Sequence, residues 1–235
     1  MKLINFVGPP SAGKTAVVKN VIRKIYPQTR VSYLKIDVVI AFEREELEKE
    51  FSGLPIQIVY AGDLCPDHAS VMVIKDAIRW ALENKSEILV VESAGLCLRC
   101  SPYLNQGLGV IVLSMLGGMN SPLKMGPMVS LADVAVVTKI DLISQAEREV
   151  FREKIREVSK SIRIYEMNAL QGTGTSRLLT ELDGMRDIDV ERLQLKGVPP
   201  LGVCTICVGK KDIGWDQHFG VIRKLEGADY IYRGE

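Results

Sequence analysis

Short apolar runs recur along the chain, and most are separated by segments whose apolar residues have helical spacing. The runs predict buried strands, because they are too short for core helices: KLINFVG, VSYLKID, IQIVY, EILVVES, GVIVLSM, DVAVVTKID and SIRIYEM. The longer segments predict helices: GKTAVVKNVIRKIY, VVIAFEREELEKEF, ASVMVIKDAIRWALEN and SQAEREVFREKIREVSK. Apolar strands that alternate with helices indicate an α/β fold, with a mostly parallel central sheet and helices on both faces.

The whole chain, residues 1–235, is predicted to form a single domain, since its length lies within the range of one α/β domain. The one shift in composition falls near LQLKGVPPLG. Beyond it, the stretch from VCTIC to the final YRGE predicts a strand, a loop, a helix and a last strand, and with the residues from 196 it forms the segment 196–235. We expect this segment to be an appendage of the same domain.

Charge and hydropathy exclude several classes of partner. The formal net charge is +1, so no strong field draws the protein to nucleic acid or to an anionic membrane. No apolar stretch approaches the ~20 residues of a membrane helix, and the start MKLINFVGPPSAGKT lacks the apolar core of a signal peptide. We therefore expect a cytoplasmic protein, with no nucleic acid and no membrane among its partners.

The stretch GPPSAGKT, from Gly8 to Thr15, fits the phosphate-binding pattern G-x-x-x-x-G-K-[ST] and lies between a predicted strand and a predicted helix. This position predicts a P-loop NTPase. Backbone N–H groups and the helix N-terminus would hold the phosphates, Lys14 would reach the β- and γ-phosphates, and the Thr15 hydroxyl would ligate Mg²⁺. The predicted phosphate-binding residues are Gly8, Ser11, Ala12, Gly13, Lys14, Thr15 and Ala16.

Two carboxylates end predicted strands, Asp37 in LKID and Glu92 in VVES. The carboxyl ends of parallel strands face the nucleotide crevice, so either side chain could hold Mg²⁺, directly or through water. Asp37 is the candidate for orienting the attacking water. The predicted catalytic residues are Lys14, Asp37 and Glu92, and the predicted magnesium ligands are Thr15, Asp37 and Glu92. The alternative is that the two carboxylates only cap the helices that follow.

The stretch VVTKID resembles the guanine-specificity motif N/T-K-x-D, with Thr138, Lys139 and Asp141 in its defined positions. One carboxylate can accept hydrogen bonds from both N1–H and N2–H₂ of guanine, whereas adenine would leave it unpaired. The stretch NALQGTG resembles the second guanine loop. Its predicted binding residues are Asn168, Ala169 and Leu170, with the Ala169 N–H as donor to O6. GTP is therefore the predicted nucleotide.

The cysteine pattern favours metal or redox chemistry over disulfide bridges. Five cysteines are an odd number, and four of them form two C-x-x-C pairs, Cys97 with Cys100 and Cys204 with Cys207. The fifth, Cys65, lies in GDLCPDH with His68 three residues later. Thiolate and imidazole together suit Ni²⁺, Zn²⁺ or Cu²⁺. Taken alone, a cysteine and a histidine at this spacing, such as Cys65 and His68, are more often ordinary loop residues.

Several stretches together resemble the nickel-delivering GTPases that mature hydrogenase and urease, the CobW/HypB/UreG family of the SIMIBI class. GPPSAGKT, AGDLCPDHAS, VVESAG, SPLKMGPMVSLADVAVVTKIDL and NALQGTG occur in the order seen in that family, over roughly residues 1–185. The resemblance implies a GTP-hydrolysing metallochaperone that forms a nucleotide-dependent homodimer. Its cofactors would be GTP, Mg²⁺ and Ni²⁺ or Zn²⁺, and its partners a client metalloenzyme or maturation proteins.

The resemblance also implies a transition-metal site. Cys65 and His68 match the cysteine and histidine of the family's metal loop, although Asp67 is inserted between Pro66 and His68. Cys97 or Cys100 matches a further cysteine that some hydrogenase members carry. The predicted ligands are therefore Cys65, His68, Cys97 and Cys100.

The second pair, Cys204 and Cys207, leaves three alternatives open. It could complete a Cys₄ site with Cys97 and Cys100, which would hold structural zinc or an iron–sulfur cluster, or it could be two buried cysteines in a strand. A nucleotide-gated iron–sulfur or redox protein is therefore the alternative to the metallochaperone. A small-molecule P-loop kinase is the third candidate, and the TKID stretch argues against it.

Overall fold

A parallel sheet forms the centre of the protein in a computed structural model that describes residues 1–38, 43–62, 65–95, 102–197 and 211–214. Within these ranges the strands are β1 (Lys2–Val7), β2 (Val31–Asp37), β3 (Ile56–Tyr60), β4 (Ile88–Ser93), β5 (Leu108–Ser114), β6 (Val134–Thr138) and β7 (Arg163–Met167). Their order across the sheet is β3-β2-β4-β1-β5-β6-β7, and all of their pairings are parallel. The predicted P-loop NTPase fold class is confirmed.

The helices of the same ranges are α1 (Lys14–Ile25), α2 (Glu43–Glu50), α3 (Pro66–Glu83), α4 (Ser121–Lys124), α5 (Gly126–Leu131), α6 (Gln145–Val158) and α7 (Thr175–Leu179). The helix α6 begins with a capping box, in which Ser144 and Glu147 bond to each other's backbone. The apolar residues of α1 pack on one face of the sheet, whereas α3 and α6 cover the other face. Burial on both faces explains why the central strands are mostly apolar, whereas the edge strand β7 is partly exposed and carries Arg163 and Glu166.

Two helical regions differ from the sequence-based expectation. The helix α3 begins at Pro66, three residues before the predicted start at Ala69, because proline is well suited to the first helical position. Asp67 and His68 therefore lie in the first turn of a helix. The short helices α4 and α5 were not predicted, because each is too short to show helical spacing.

The strand order places the nucleotide site. The strand β1 lies between β4 and β5, although the chain continues from β1 to β2 on the far side of β4. Such a switch in strand order leaves a crevice outside the carboxyl ends of the strands. The loop that follows β1 is Gly8–Thr15, so the predicted phosphate-binding loop opens into this crevice.

The described part of the C-terminal segment packs on the same core as the strands. Ile213 of this segment is buried in the cluster that α3 forms with the sheet, together with Leu193 and Leu195, which come just before the segment. The N–H of Gly214 also donates to the carbonyl oxygen of Val71 in α3, at 3.0 Å. The single domain and its appendage at 196–235 stay a prediction, since most of that appendage lies outside the described residues.

Candidate functional site

The loop Gly8–Thr15 has the backbone shape of a phosphate cradle. Gly8 and Gly13 have φ of 152° and 89°, and a Cβ atom at Gly8 would lie 2.3 Å from the carbonyl oxygen of Val112. The loop then enters α1, so backbone N–H groups and a helix N-terminus point to one space. This arrangement suits an anion such as a phosphate.

Lys14 bends back over this loop. Its Nζ donates to the carbonyl oxygens of Gly8 at 2.8 Å and Pro9 at 3.0 Å, and reaches Ala94 after β4 at 3.3 Å. Burial lowers the pKa of Lys14 below its usual range, and the carboxylate of Glu92 acts against that shift. The lysine is therefore held at the mouth of the cradle, where phosphate oxygens would replace the carbonyl partners.

Glu92 is buried between the phosphate loop and β2. Its Oε1 accepts a hydrogen bond from the Thr15 hydroxyl at 2.6 Å, and its Oε2 accepts one from the Tyr33 hydroxyl at 2.7 Å. Only 2% of Glu92 is exposed. The two hydroxyl groups hold the carboxylate in one orientation, with its Oε1 directed to the start of α1.

Asp37 lies at the end of β2, next to β4, and its side chain is partly exposed. Its Oδ1 accepts a hydrogen bond from the N–H of Val38 at 2.8 Å, and its Oδ2 lies 3.5 Å from Nζ of Lys35. Lys35 Nζ also lies 3.8 Å from Oε1 of Glu92. One buried ammonium group therefore joins the two carboxylates that end these strands.

These side chains fit a magnesium site. Thr15 supplies a hydroxyl oxygen, while Asp37 and Glu92 supply carboxylate oxygens, and hard oxygen ligands are those that Mg²⁺ prefers. These three residues would hold the ion. When bound, Mg²⁺ would neutralise charge on the phosphates of the nucleotide.

The predicted guanine motif is joined directly to the phosphate loop. The Thr138 hydroxyl donates to the carbonyl oxygen of Ala12 at 2.6 Å, and Lys139 Nζ donates to that of Ser11 at 2.9 Å. Asp141 follows in the short 3₁₀ helix Ile140–Leu142 and is exposed. The end of β6 therefore holds one side of the phosphate loop in place through these two hydrogen bonds. The Asp141 carboxylate stays accessible to a base.

The second predicted guanine loop lies near the first. The Asn168 side chain closes the loop, since its Oδ1 accepts from the N–H groups of Leu170 and Gln171, both at 3.1 Å. The carbonyl oxygen of Ala169 accepts from Nδ2 of Asn20 in α1 at 2.6 Å. The helix that follows the phosphate loop therefore also positions the base loop.

The Cys65 turn, which we define as Cys65, Pro66, Asp67 and His68, forms the start of α3. Cys65 occupies the N-cap position and is partly exposed, whereas Asp67 and His68 are almost fully buried. The Ser93 hydroxyl at the end of β4 donates to Oδ1 of Asp67 at 2.8 Å. The turn is therefore bonded to the residue that follows Glu92.

The other predicted ligands cannot be placed. Cys97, Cys100, Cys204 and Cys207 lie outside the described residues. Among the residues that are described, no group of three or more His, Cys, Asp and Glu side chains could hold a metal ion. The predicted four-ligand site therefore stays a prediction.

No described helix is both long enough and apolar enough to cross a membrane.

Three residues of this region were not identified from the sequence. They are Tyr33, Lys35 and Asn20, and each contacts a predicted site residue. Tyr33 and Lys35 lie at alternate positions of β2 with Asp37, so the period of two along a strand places all three on one face. That spacing could have indicated Tyr33 and Lys35, whereas Asn20 gives no such signal.

The chain is similar to several known proteins. The family model "CobW/HypB/UreG, nucleotide-binding domain" matches residues 2–166. An uncharacterized protein of Methanocaldococcus jannaschii is 38% identical over 237 residues, which cover 100% of both chains. The hydrogenase/urease maturation factor HypB of Helicobacter pylori is 26% identical over 166 residues, covering 68% of this chain and 64% of HypB.

A solved structure has the same fold. The crystal structure of HypB from Helicobacter pylori in complex with nickel aligns with a TM-score of 0.64 and 21% identity, over 77% of this chain and 85% of that one. At this identity the likeness concerns the fold alone. The family model, however, covers most of the chain, from β1 to β7. The chain belongs to the CobW/HypB/UreG family of nucleotide-binding domains.

Proposed function

We propose that this protein is a GTP-hydrolysing metallochaperone that couples its nucleotide state to the delivery of a transition metal, or to metallocofactor assembly, in a client enzyme. One observation carries the proposal: the Thr138 and Lys139 side chains bond to the carbonyl oxygens of the phosphate loop. A guanine-binding motif and a phosphate-binding loop therefore form one continuous site. The names of the HypB relatives support the maturation of metalloenzymes.

Several residues of the chain support the hydrolytic part of this proposal. Lys14 would contact the β- and γ-phosphates, and the Thr15 hydroxyl and Glu92 would hold Mg²⁺. Asp37 is partly exposed at the end of β2, so its carboxylate can orient a water for in-line attack. Asp141 and the Ala169 N–H would select guanine.

We assign the metal to the Cys65 turn together with Cys97 and Cys100. Two facts support this assignment. HypB of Helicobacter pylori was solved in complex with nickel, and thiolate with imidazole suits Ni²⁺ or Zn²⁺. In addition, Ser93 ends β4 shortly before Cys97 and donates to Asp67, so the two cysteine-bearing segments start from neighbouring points.

The second pair of cysteines favours one alternative function. The N–H of Lys196, just before the segment with Cys204 and Cys207, donates to the carbonyl oxygen of Tyr103 at 2.8 Å. Tyr103 follows the segment with Cys97 and Cys100 closely. This contact supports a site built from both pairs, and such a Cys₄ set could hold an iron–sulfur cluster or zinc.

The proposal includes a second copy of the chain and a client. Leu116 follows β5, is 54% exposed and lines a cavity together with Pro9 and Ser11 of the phosphate loop. Leu123, in α4, is 41% exposed. Exposed apolar residues beside a nucleotide support association of two copies across that face. A client metalloenzyme or a maturation protein would then receive the metal.

One experiment tests the metallochaperone against its alternative. The full chain is purified without air, and its metal content and absorption spectrum are measured with GDP and with a non-hydrolysable GTP analogue, each with Mg²⁺. We expect a colourless protein that binds about one Ni²⁺ or Zn²⁺ per dimer, with an affinity that differs between the two nucleotides. The Cys65→Ser variant should lose this binding.

Cys204→Ser is the matched control, since it removes a thiol from the second C-x-x-C pair, which the proposed metal site does not use. A metallochaperone that uses the Cys65 turn retains nickel in this variant. A brown protein that contains iron and sulfide, keeps them in Cys65→Ser and loses them in Cys204→Ser, would contradict the proposal and establish the iron–sulfur alternative.

A further inference from the structure

Lys35 is a buried lysine inside the magnesium site. It lies on β2 between Tyr33 and Asp37, and only 4% of it is exposed. Lysine is almost never buried unless an anionic partner is close. Here the ammonium group lies 3.5 Å from Oδ2 of Asp37 and 3.8 Å from Oε1 of Glu92. It therefore offsets the negative charge that two neighbouring carboxylates would otherwise concentrate.

The ammonium and a metal ion would share one oxygen atom. Oε1 of Glu92 faces Lys35 and also accepts the hydrogen bond of the Thr15 hydroxyl, at 2.6 Å. An Mg²⁺ ion lies roughly 2.1 Å from a direct oxygen ligand and about 4 Å from one that it reaches through water. In either case its charge would lie within a few ångströms of Lys35 Nζ, and the two cations would repel.

The same ammonium acts on the phosphate-binding lysine. The pKa of Lys14 is lowered mainly by burial, raised by Glu92, and lowered again by the charge of Lys35. Lys35 is thus close enough to the phosphate loop for its charge to lower the pKa of Lys14. The phosphates of a bound nucleotide would bring several negative charges into this neighbourhood, and these charges could balance both Lys35 and a divalent ion.

We propose that Lys35 is the internal counter-cation of the magnesium site, and that it makes metal binding depend on the nucleotide. Before the nucleotide binds, the ammonium balances Asp37 and Glu92 and lowers their affinity for Mg²⁺. When phosphates bind, they add the negative charge that lets the ion and the ammonium occupy the site together. This inference rests on the proposed function, because it assumes that Thr15, Asp37 and Glu92 hold Mg²⁺.

The test measures binding of the metal alone. Mn²⁺ is used as the probe, because it accepts the same oxygen ligands as Mg²⁺ and its free concentration can be read by electron paramagnetic resonance. Lys35→Met removes the charge and keeps much of the side-chain volume, whereas Lys35→Arg keeps the charge. We expect Lys35→Met to bind Mn²⁺ about tenfold more tightly or better without nucleotide, since a unit positive charge within roughly 6 Å of a directly bound ion is lost.

Nucleotide dependence gives the second readout. In the wild-type protein and in Lys35→Arg, GDP should tighten Mn²⁺ binding strongly, whereas in Lys35→Met the gain from GDP should be smaller. Lys35→Gln is a second neutral variant, which can still hydrogen-bond to the carboxylates if the methionine variant does not fold. Unchanged or weaker Mn²⁺ binding by a folded neutral variant without nucleotide overturns the proposal.

Failure of the proposed function has a different signature. A wild-type protein that binds no guanine nucleotide refutes the GTPase assignment, yet its Mn²⁺ affinity can still be compared with that of Lys35→Met. A protein that binds GDP normally, and whose Mn²⁺ affinity does not respond to the charge at position 35, refutes only the role of Lys35. Tyr33→Phe serves as the uncharged control, since it removes a hydrogen bond from Glu92 without changing the charge.

Discussion

The nucleotide region and the Cys65 turn lie at the same edge of the sheet but are held in place by different means. In the nucleotide region, hydrogen bonds join segments far apart in the chain: Thr138 bonds to Ala12, and Asn20 bonds to Ala169. The Cys65 turn is shaped mainly by its own sequence, because Pro66 starts α3 and the N–H of Ala69 donates to the carbonyl oxygen of Cys65 at 2.9 Å.

This difference bears on how each region can change its conformation. A region held by bonds between distant segments keeps its geometry while ligands exchange, as a catalytic site requires. A turn at the start of a helix can reorient through a few backbone angles. Of the proposed metal ligands, Cys65 therefore lies at the helix start, in the more locally determined of the two regions.

Strand β4 connects the two regions. Glu92 and Ser93 are consecutive, so their side chains point to opposite faces of the sheet. Glu92 bonds to Thr15 on the nucleotide side, while Ser93 bonds to Asp67 in the Cys65 turn. A small shift at the end of β4 would therefore reach both regions, which gives the proposed coupling of nucleotide state to metal binding a physical route.

The largest effect is expected in the nucleotide region, from a change of Asp141. Asp141→Asn should weaken GDP binding by at least about 100-fold, because the amide cannot accept from both N1–H and N2–H₂ of guanine. The same variant should gain affinity for xanthosine diphosphate, whose carbonyl at C2 can accept from the asparagine amide. Competition against a fluorescent nucleotide measures both effects.

The gain in xanthine binding separates a lost contact from a damaged fold. Leu142→Ala is a suitable control, because Leu142 is adjacent and 61% exposed and should leave both affinities unchanged. Equal weakening of both nucleotides in Asp141→Asn would contradict the assignment of Asp141 to the base.

A smaller effect is expected where the two regions meet. Ser93→Ala removes the hydroxyl that donates to the buried Asp67 carboxylate, so it should lower the free energy of unfolding by about 1–3 kcal/mol. Ser130→Ala is the matched control, because the Ser130 hydroxyl is exposed and bonds only within its own helix region, to Pro127 at 3.2 Å. It should change stability by less than about 0.5 kcal/mol. Urea unfolding measures both.

Ser93→Ala also tests the connection itself. If β4 couples the regions, the variant keeps its GDP affinity but loses the difference in nickel affinity between GDP and the GTP analogue. Full retention of that difference would show that the Cys65 turn responds to nucleotide by another route.

The smallest effect concerns the buried positive charge of Lys14 in the nucleotide region. Burial holds the pKa of Lys14 below its ordinary 10.5, so the unfolded chain binds this proton more tightly than the folded one. The charged lysine therefore destabilises the fold at neutral pH, and this penalty is lost as the pH rises through the folded pKa towards 10.5. Lys14→Met removes the penalty at all pH values.

The stability advantage of Lys14→Met over the wild type should therefore shrink as the pH rises from 7 to 10, and urea unfolding at several pH values measures it. Lys14→Arg keeps its charge over this range, so its stability relative to Lys14→Met should stay constant. An advantage that grows with pH would show that the proton on Lys14 stabilises the fold.

Strand prediction succeeded because short apolar segments can be recognised from the local sequence alone. VSYLKID and IQIVY match β2 and β3 residue for residue, since burial on both faces favours a short, mostly apolar run. The start of α3 was placed three residues late, because Cys65 to His68 resemble a loop in composition although Pro66 is a good helix start. Residues 39–42 and the C-terminal cysteines lie outside the described residues, so predictions there stay open.

The sequence by itself determined the fold class, the phosphate loop and the guanine motif. Each of them can be recognised from the local spacing of residues, without knowing which distant residues they contact. Only the tertiary structure brought Lys35 between Asp37 and Glu92, and Ser93 against Asp67. These contacts join strands and a helix that are separate in the chain, and their pairing is set by the order of strands in the sheet. The candidate residues of the site could therefore be proposed from the sequence, whereas the contacts between its parts were decided by the fold.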